Sequence, residues 1–530
     1  MPTLEWIGKS KVINHHQDVP FRVLERKYSF DENGQHNEDN GSENMIIRGD
    51  NLEALKALLP RYEGRVKCIY IDPPYNTGNE GWVYNDNVND PKIKKWLGEV
   101  VGKEGEDLTR HDKWLCMMYP RLKLLQKLLA DDGVIFISID EIEHRYLELV
   151  MDEIFGSANR IDTFVWQNNY GGGAKSNYVV HLHEYVLCFA KNISTVGKIE
   201  LPPDDNILKY YKYKDEKFDT RGPYRLQPLA TTSMDDRPNL RYPLFYEGHE
   251  VWPAKQWFWS KERALEAQAN DELVFSEKNG KWTVNYKQYL NGADGTQRKS
   301  KPYSIITGIY TQAGTKAIKE IMGSGKAFDF PKPPELIMYF IQMITGKDDI
   351  VLDSFAGSGT TAHAVLNMNK SDGGHRKFIL VEMMDYADSI TAERVKRVIR
   401  GYGEGKNAVE GTGGNFSFYD LGEPLLHGDV LNENVGVEKI REYVYFTDTK
   451  ASLPESHPDE PYFMGVHIGS AYYFYYEKQA VTTLNREFLH TVKTKADAYV
   501  IYADLCTLSE AELEKYHITF KKIPRDITKL

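Results

Sequence analysis

The chain has 530 residues, of which 41% are hydrophobic and 27% charged, with a formal net charge of −11. That composition belongs to folded globular proteins, which excludes disordered and fibrous classes, and the length exceeds one ordinary core, so several domains are expected. No apolar stretch approaches the roughly 20 residues that cross a bilayer, and Met1-Pro2-Thr3-Leu4-Glu5-Trp6 lacks a basic region followed by an apolar one, so a cytoplasmic protein without membrane contact is expected. Cys68, Cys116, Cys188 and Cys506 form no Cys-x-x-Cys pair, which gives no support to a zinc ribbon or a disulfide framework, and no metal is expected.

In chain order, residues 31–43 are rich in Asn, Gly and Asp and read as a loop joining an N-terminal arm, 1–44, to a body that begins near Asn44. Met45-Ile46-Ile47-Arg48 reads as a strand. Residues 51–59 read as a helix with Leu52, Leu55, Leu58 and Leu59 on one face, and 66–71 as the next strand, which makes a strand–helix–strand unit of the doubly wound kind. Helix 119–130, strand 134–139, helix 142–155 and strands 163–166 and 184–189, the last two separated by Gly171-Gly172-Gly173, continue the alternation. One side of a parallel sheet is expected to end near Lys191.

The rhythm then breaks. From Lys191 to Lys326 there are 22 Lys and Arg against 17 Asp and Glu, a net of +5 that leaves −16 for the rest, with Trp252, Trp257, Phe258 and Trp259 interspersed. An overall negative charge argues against a polyanionic partner, but a basic, aromatic insert is a candidate nucleic-acid surface. Lys209 to Lys217, Arg221, Arg225, Arg237 and Arg241 are candidates for phosphates or guanine edges, and the tryptophan cluster for stacking or for core. The alternation resumes at Pro331-Lys332-Pro333-Pro334 with helix 335–344, strand 350–353, strand 378–382, helix 390–400 and a last strand at 415–421. The expected fold is an α/β, doubly wound, Rossmann-like domain in two parts, 45–190 and 331–422, interrupted by a target-recognition insert at 191–330 and followed by a small C-terminal α/β domain, 423–530.

Ile350-Val351-Leu352-Asp353 runs into Phe355-Ala356-Gly357-Ser358-Gly359-Thr360-Thr361, a strand, a Gly-rich turn and a helix, and Glu382 ends the next strand where an acid can grip ribose hydroxyls. Taken alone, this pattern serves a dinucleotide or S-adenosylmethionine equally. A phosphate-loop NTPase is disfavoured because no Gly-Lys-Ser/Thr closes the turn.

Asp72-Pro73-Pro74-Tyr75, directly behind strand 66–71, decides between them. An exocyclic amino nitrogen is a poor nucleophile because its lone pair is delocalised into the ring. If the Asp72 carboxylate and the Pro73 carbonyl accept its two N–H bonds, charge developing on nitrogen is stabilised and the lone pair is aimed at a sulfonium methyl. Proline keeps this turn stiff, and Tyr75 can stack on a base extruded from the duplex.

With both motifs in this order around an insert, the chain resembles the β class of amino-methyltransferases, and more narrowly the modification subunits of type III restriction–modification systems and their stand-alone adenine-methylating relatives. The resemblance implies S-adenosylmethionine as cofactor, double-stranded DNA with a flipped adenine as substrate, and methylation at N6, since Asp rather than Ser opens the first motif. It further implies that Asp50 reaches the cofactor adenine and Glu382 its ribose. Asp353, Phe355, Gly357, Gly359 and Thr360 would shape the pocket, and Lys332-Pro333 would close its methionine end. A homodimer and a helicase–nuclease restriction subunit are the implied partners. Plain structural roles compete with these: Asp50 as a helix cap, Phe355 as core, Lys332 as a surface charge. The alternatives in function are a DNA-recognition subunit with secondary methylation, a cytosine-N4 methyltransferase and, more distantly, a NAD-dependent enzyme.

Overall fold

Near-continuous apolar runs such as Cys68-Ile69-Tyr70-Ile71 and Phe378-Ile379-Leu380-Val381 are buried on both faces, which is the condition for a parallel sheet covered by helices. The computed structural model describes residues 3–76, 99, 110–171, 178–203, 205–233, 235–454 and 458–525. It divides into two compact units, residues 1–198 with 303–530, and residues 199–302.

The larger unit is built on an eleven-stranded sheet. Its strands in chain order are β1 (Arg22–Asp31), β2 (Gly34–His36), β3 (Met45–Arg48), β4 (Val66–Ile71), β5 (Leu129–Ile139), β6 (Arg160–Gln167), β7 (His183–Ala190), β8 (Ile305–Ile306), β9 (Ile350–Asp353), β10 (Lys377–Glu382) and β11 (Phe416–Pro424). The spatial order is β8-β6-β7-β5-β4-β9-β10-β3-β11-β1-β2. Strands β5, β4, β9, β10, β3 and β11 run parallel to one another. The register Val351↔Cys68 and Leu352↔Ile69 sets β9 against β4, so the ends of both motif-bearing strands are neighbours.

Helices α1 (Asn51–Tyr62), α2 (Arg110–Leu128), α3 (His144–Phe155), α4 (Thr311–Met322), α5 (Pro334–Ile344), α6 (Thr360–Asp372) and α7 (Glu393–Arg400) connect the strands. Helix α1 buries Leu52, Leu55, Leu58 and Leu59, the face read from their spacing. Residue 119 lies inside α2, which already runs from Arg110, and Ala130, read as helical, stands in β5. The 390–400 segment opens with a π-helical turn, Asp388–Ala392, before α7.

Two features differ from the sequence reading. Strand β7 is antiparallel to both β5 and β6, because β6 and β7 follow each other without a crossover helix. Residues before Asn44 are not set apart from the body: β1 pairs with β11 and buries Tyr28 and Phe30, Tyr28 stacking on Phe418 at 5.1 Å between centroids. Gly172 and Gly173 of the β6–β7 loop lie outside the described residues.

The C-terminal residues carry a four-stranded sheet in the order Phe463–His467, Ser470–Phe474, Ala498–Ala503, Ile518–Lys522 and helix α8 (Val437–Thr449), whose Asp448 accepts from Tyr502 and Lys521, each at 2.7 Å. Among the described residues no helix is long and apolar enough to cross a membrane.

The smaller unit has a three-stranded antiparallel sheet, Leu273–Lys278, Lys281–Tyr289 and Tyr224–Pro228, with helix Lys261–Ala269. Its core contains Trp257, with Trp259 packed at the margin, while Trp252 and Phe258 are exposed; the tryptophan cluster therefore splits between core and surface. Residues 199–302 carry 17 Lys and Arg against 16 Asp and Glu, so most of the basic excess read for 191–326 lies in flanking segments. Several of the unit's cations are neutralised internally: Lys217 and Arg221 meet Glu272, and Lys287 meets Asp215 and Asp271. Charge alone does not mark this unit as a phosphate surface.

Candidate active site

Four carboxylates stand at or just past the carboxyl ends of four adjacent parallel strands: Asp72 after β4, Asp353 at the end of β9, Glu382 at the end of β10 and Asp50 two residues after β3. In open α/β sheets this edge is where ligands bind.

Asp72 is partly buried against Lys332, whose ammonium lies 3.0 Å from Asp72 Oδ1, donates to the Tyr75 hydroxyl at 2.7 Å and lies 3.3 Å from Glu184 Oε2. The Tyr75 hydroxyl in turn donates to Glu184 Oε2 at 3.0 Å, and Asn168 donates to Glu184 Oε1 at 2.9 Å. Lys332 also sits 4.7 Å from the Tyr75 ring centroid. The ammonium thus lies in the Asp-Pro-Pro-Tyr motif itself, a placement its sequence position did not suggest.

Burial pushes the Asp72 carboxyl up, Lys332 pulls it back, and Glu184 adds to the rise. Burial works against the Lys332 charge, but Asp72 and Glu184 outweigh it and hold the ammonium above its usual range. Trp114 of α2 donates its indole N–H to the Pro74 carbonyl at 2.7 Å, which leaves Asp72 and Pro73 as the acceptors the motif can offer a ligand. Asn76, at φ 60°, completes the turn and donates to the buried Glu143, which also holds His111 at 2.6 Å.

The Gly-rich turn is fixed from below and from the side. Asp353 accepts from the Phe355 N–H at 3.0 Å and from the Thr361 hydroxyl. Glu382 accepts from the N–H groups of Gly357 at 2.8 Å and Met384 at 2.9 Å. Gly359 has φ 79°, and a Cβ there would lie 3.0 Å from the Thr391 carbonyl oxygen, so only glycine fits. Arg394 of α7 is fully buried and donates to Ser358 and Thr360, each at 2.7 Å. Phe355 is half-buried at the margin of the main core. Asp50 caps α1 through the N–H groups of Leu52 and Glu53, and its other oxygen lies 3.3 Å from the buried Arg121. The capping role foreseen for Asp50 is therefore present.

Burial pushes the Asp353 carboxyl up to about 7. A folded pKa above the unfolded value favours the protonated folded form, so the stability it contributes is full below pH 4 and is lost as pH rises through 7. Asp353→Asn is expected to lose less stability between pH 5 and 8 than the parent, by on the order of 2–4 kcal/mol in denaturant titrations. Asp140, which burial also raises to about 7, stays in both proteins and keeps a residual slope. Equal slopes in the two proteins would contradict the assignment.

A family model described as DNA methylase matches residues 66–394, a span that contains both motifs. The chain belongs to this DNA methylase family. It is 34% identical to the type III restriction-modification enzyme StyLTI Mod subunit of Salmonella typhimurium over 68% of this chain and 58% of that protein. It is 34% identical to the EcoPI Mod subunit of Escherichia phage P1 over 72% and 63%, and 34% identical to the type II methyltransferase M.KpnI of Klebsiella pneumoniae over 65% and 81%. The chain thus spans about three fifths of the length of these two Mod subunits.

Within this DNA methylase fold, sequence reading did not single out Glu184, Asn168, Trp114, Glu143 or Arg394. Glu184, an acid opening an otherwise apolar strand, carried a visible signal; Arg394, one of four basic residues between 394 and 400, did not.

Proposed function

We propose that this protein transfers a methyl group from S-adenosylmethionine to the N6 amino group of an adenine extruded from double-stranded DNA, in the cytoplasm. The observation that carries this reading is the meeting of Asp72-Pro73-Pro74-Tyr75 with the Gly357–Thr361 turn on adjacent parallel strands.

The residues suit the cofactor: Asp353, Phe355, Gly357, Gly359, Thr360 and Glu382 form or hold the Gly-rich turn at the carboxyl edge of the sheet, and Asp50 stands at the same edge past β3. Bound there, S-adenosylmethionine supplies an electrophilic methyl on a sulfonium. Asp72 and the Pro73 carbonyl would hold the amino N–H bonds and aim the nitrogen lone pair at that methyl, whose bonding pair would stay with sulfur. The proton released from nitrogen passes to the Asp72 carboxylate. Tyr75 is buried, its hydroxyl held by Lys332 and Glu184, and its ring would stack on the extruded base. Lys332 and Pro333 stand beside this motif and would meet the reactive end of the pocket.

Two relatives are named as Mod subunits of type III restriction-modification enzymes, which favours a modification subunit that works with a restriction subunit; a homodimer, a helicase–nuclease partner and target recognition by residues 199–302 complete the proposal. The exposed Trp252 and Phe258 suit base contacts there. Incubation with methyl-labelled S-adenosylmethionine and mixed-sequence DNA, followed by digestion to nucleosides, is expected to give N6-methyladenine. N4-methylcytosine would refute the choice of base, and no transfer, with or without the partner subunit, would refute the reading.

A further inference from the structure

We propose that Glu184 is a second carboxylate of the methyl-transfer site, which cancels the charge of Lys332 so that Asp72 faces the amino group as an uncompensated anion; this rests on the function proposed above.

Strand β7 runs against its neighbours, and that reversal brings its first residues, rather than its last, to the edge where β4 and β5 end. Glu184 therefore enters the site from the side. Both of its oxygens are engaged, Oε2 by Tyr75 and Lys332 and Oε1 by Asn168. Asn168 is itself anchored, its carbonyl accepting from the Thr311 N–H and hydroxyl, each at 3.0 Å. The carboxylate is held in place rather than left to find its partner.

The count of charges gives it a task. Lys332 donates to Asp72 and Tyr75 and pairs with Glu184 at 3.3 Å. Asp72 and Lys332 alone would form a neutral pair, and a cation beside the amino nitrogen opposes the positive charge that grows there during transfer. With Glu184 the cluster carries a net charge of −1, which favours that growing charge and favours a sulfonium over a neutral thioether. In a partly buried site with an effective dielectric constant near 20, one unit charge a few ångströms away changes a rate by about 10- to 100-fold. The titratable groups that face Glu184 are Asp72, Tyr70, Tyr75, Asp140 and Lys332.

Glutamine separates charge from shape, since its amide keeps the size of the side chain and an oxygen for Tyr75. Glu184→Gln is expected to lower the single-turnover rate about 10- to 100-fold, with DNA affinity within about threefold. Because the Glu184 charge raises the Asp72 pKa, its removal should also shift the acid limb of the rate–pH profile to lower pH. Independently of turnover, equilibrium binding should show the preference for S-adenosylmethionine over S-adenosylhomocysteine reduced by about 5- to 10-fold in Glu184→Gln and retained in Glu184→Asp.

An unchanged rate, acid limb and binding preference in a folded Glu184→Gln protein would overturn the proposal. So would an equal loss in Glu184→Asp with an unmoved acid limb, which is the signature of a simple brace between β7 and Tyr75. If the parent protein transfers no methyl group, the underlying function fails instead, and the binding preference still decides the role of Glu184.

Discussion

Asp72→Ala is expected to lower the single-turnover rate of methyl transfer by at least about 1000-fold while leaving affinity for S-adenosylmethionine within about threefold. The size of the effect follows from what alanine removes. The amino nitrogen loses the acceptor that stabilises its developing charge and takes its proton, and Lys332 is left with Tyr75 and Glu184 but no anion between it and the base. Binding is spared because the turn proposed to receive the cofactor is held by Asp353, Glu382 and Arg394. Asp72→Asn keeps one acceptor oxygen and should fall between the two, near 100-fold. Rapid-quench measurement of labelled methyl on DNA, with equilibrium binding alongside, separates the two effects. Turnover retained by the alanine variant would remove Asp72 from the chemistry.

The second large effect is expected at a residue with no chemistry of its own. Gly314 lies in α4, where a Cβ would stand 1.9 Å from the Pro331 carbonyl oxygen and 3.0 Å from the Lys332 carbonyl carbon. No rotamer relieves that overlap, because both sides are backbone. The helix or the 331–332 segment must move, and that segment carries the ammonium bonded to Asp72 and Tyr75. Gly314→Ala is therefore expected to cost about 1–3 kcal/mol of stability and to slow transfer at least 10-fold. Gly325→Ala is the control, since its Cβ would find only ordinary contacts at 3.7 Å. A Gly314→Ala protein with parental stability and rate would contradict the close approach.

What was legible in the sequence was local. The run 66–71 and the segment 350–353 appear in the structure at the bounds read for them because each is a short apolar stretch closed by its own turn. The face of α1 could be read from four leucines, and the cap at Asp50 from its position before them. What could not be read depended on partners distant in the chain. Arg22–Asp31 mixes charged residues with apolar ones, without a strand's alternation, and looks like part of an arm until Phe416–Pro424 pairs with it. The direction of β7 is set by the strands beside it rather than by its own residues, and with it the arrival of Glu184 in the site. Lys332 presented itself as a charge before a proline, and only folding brings it to Asp72. The charge of the insert misled for a related reason: summed along the chain it looked basic, whereas the compact unit pairs Lys217, Arg221 and Lys287 with its own acids.

The most direct test of the central claim is modified-base sequencing of DNA from a methylation-free host expressing the chain, with Asp72→Ala as control. The account predicts N6-methyladenine concentrated at one recurring sequence and absent from the control. Unmodified adenine throughout, with the protein folded and the proposed partner subunit supplied, or methylation equal in the Asp72→Ala control, would contradict it.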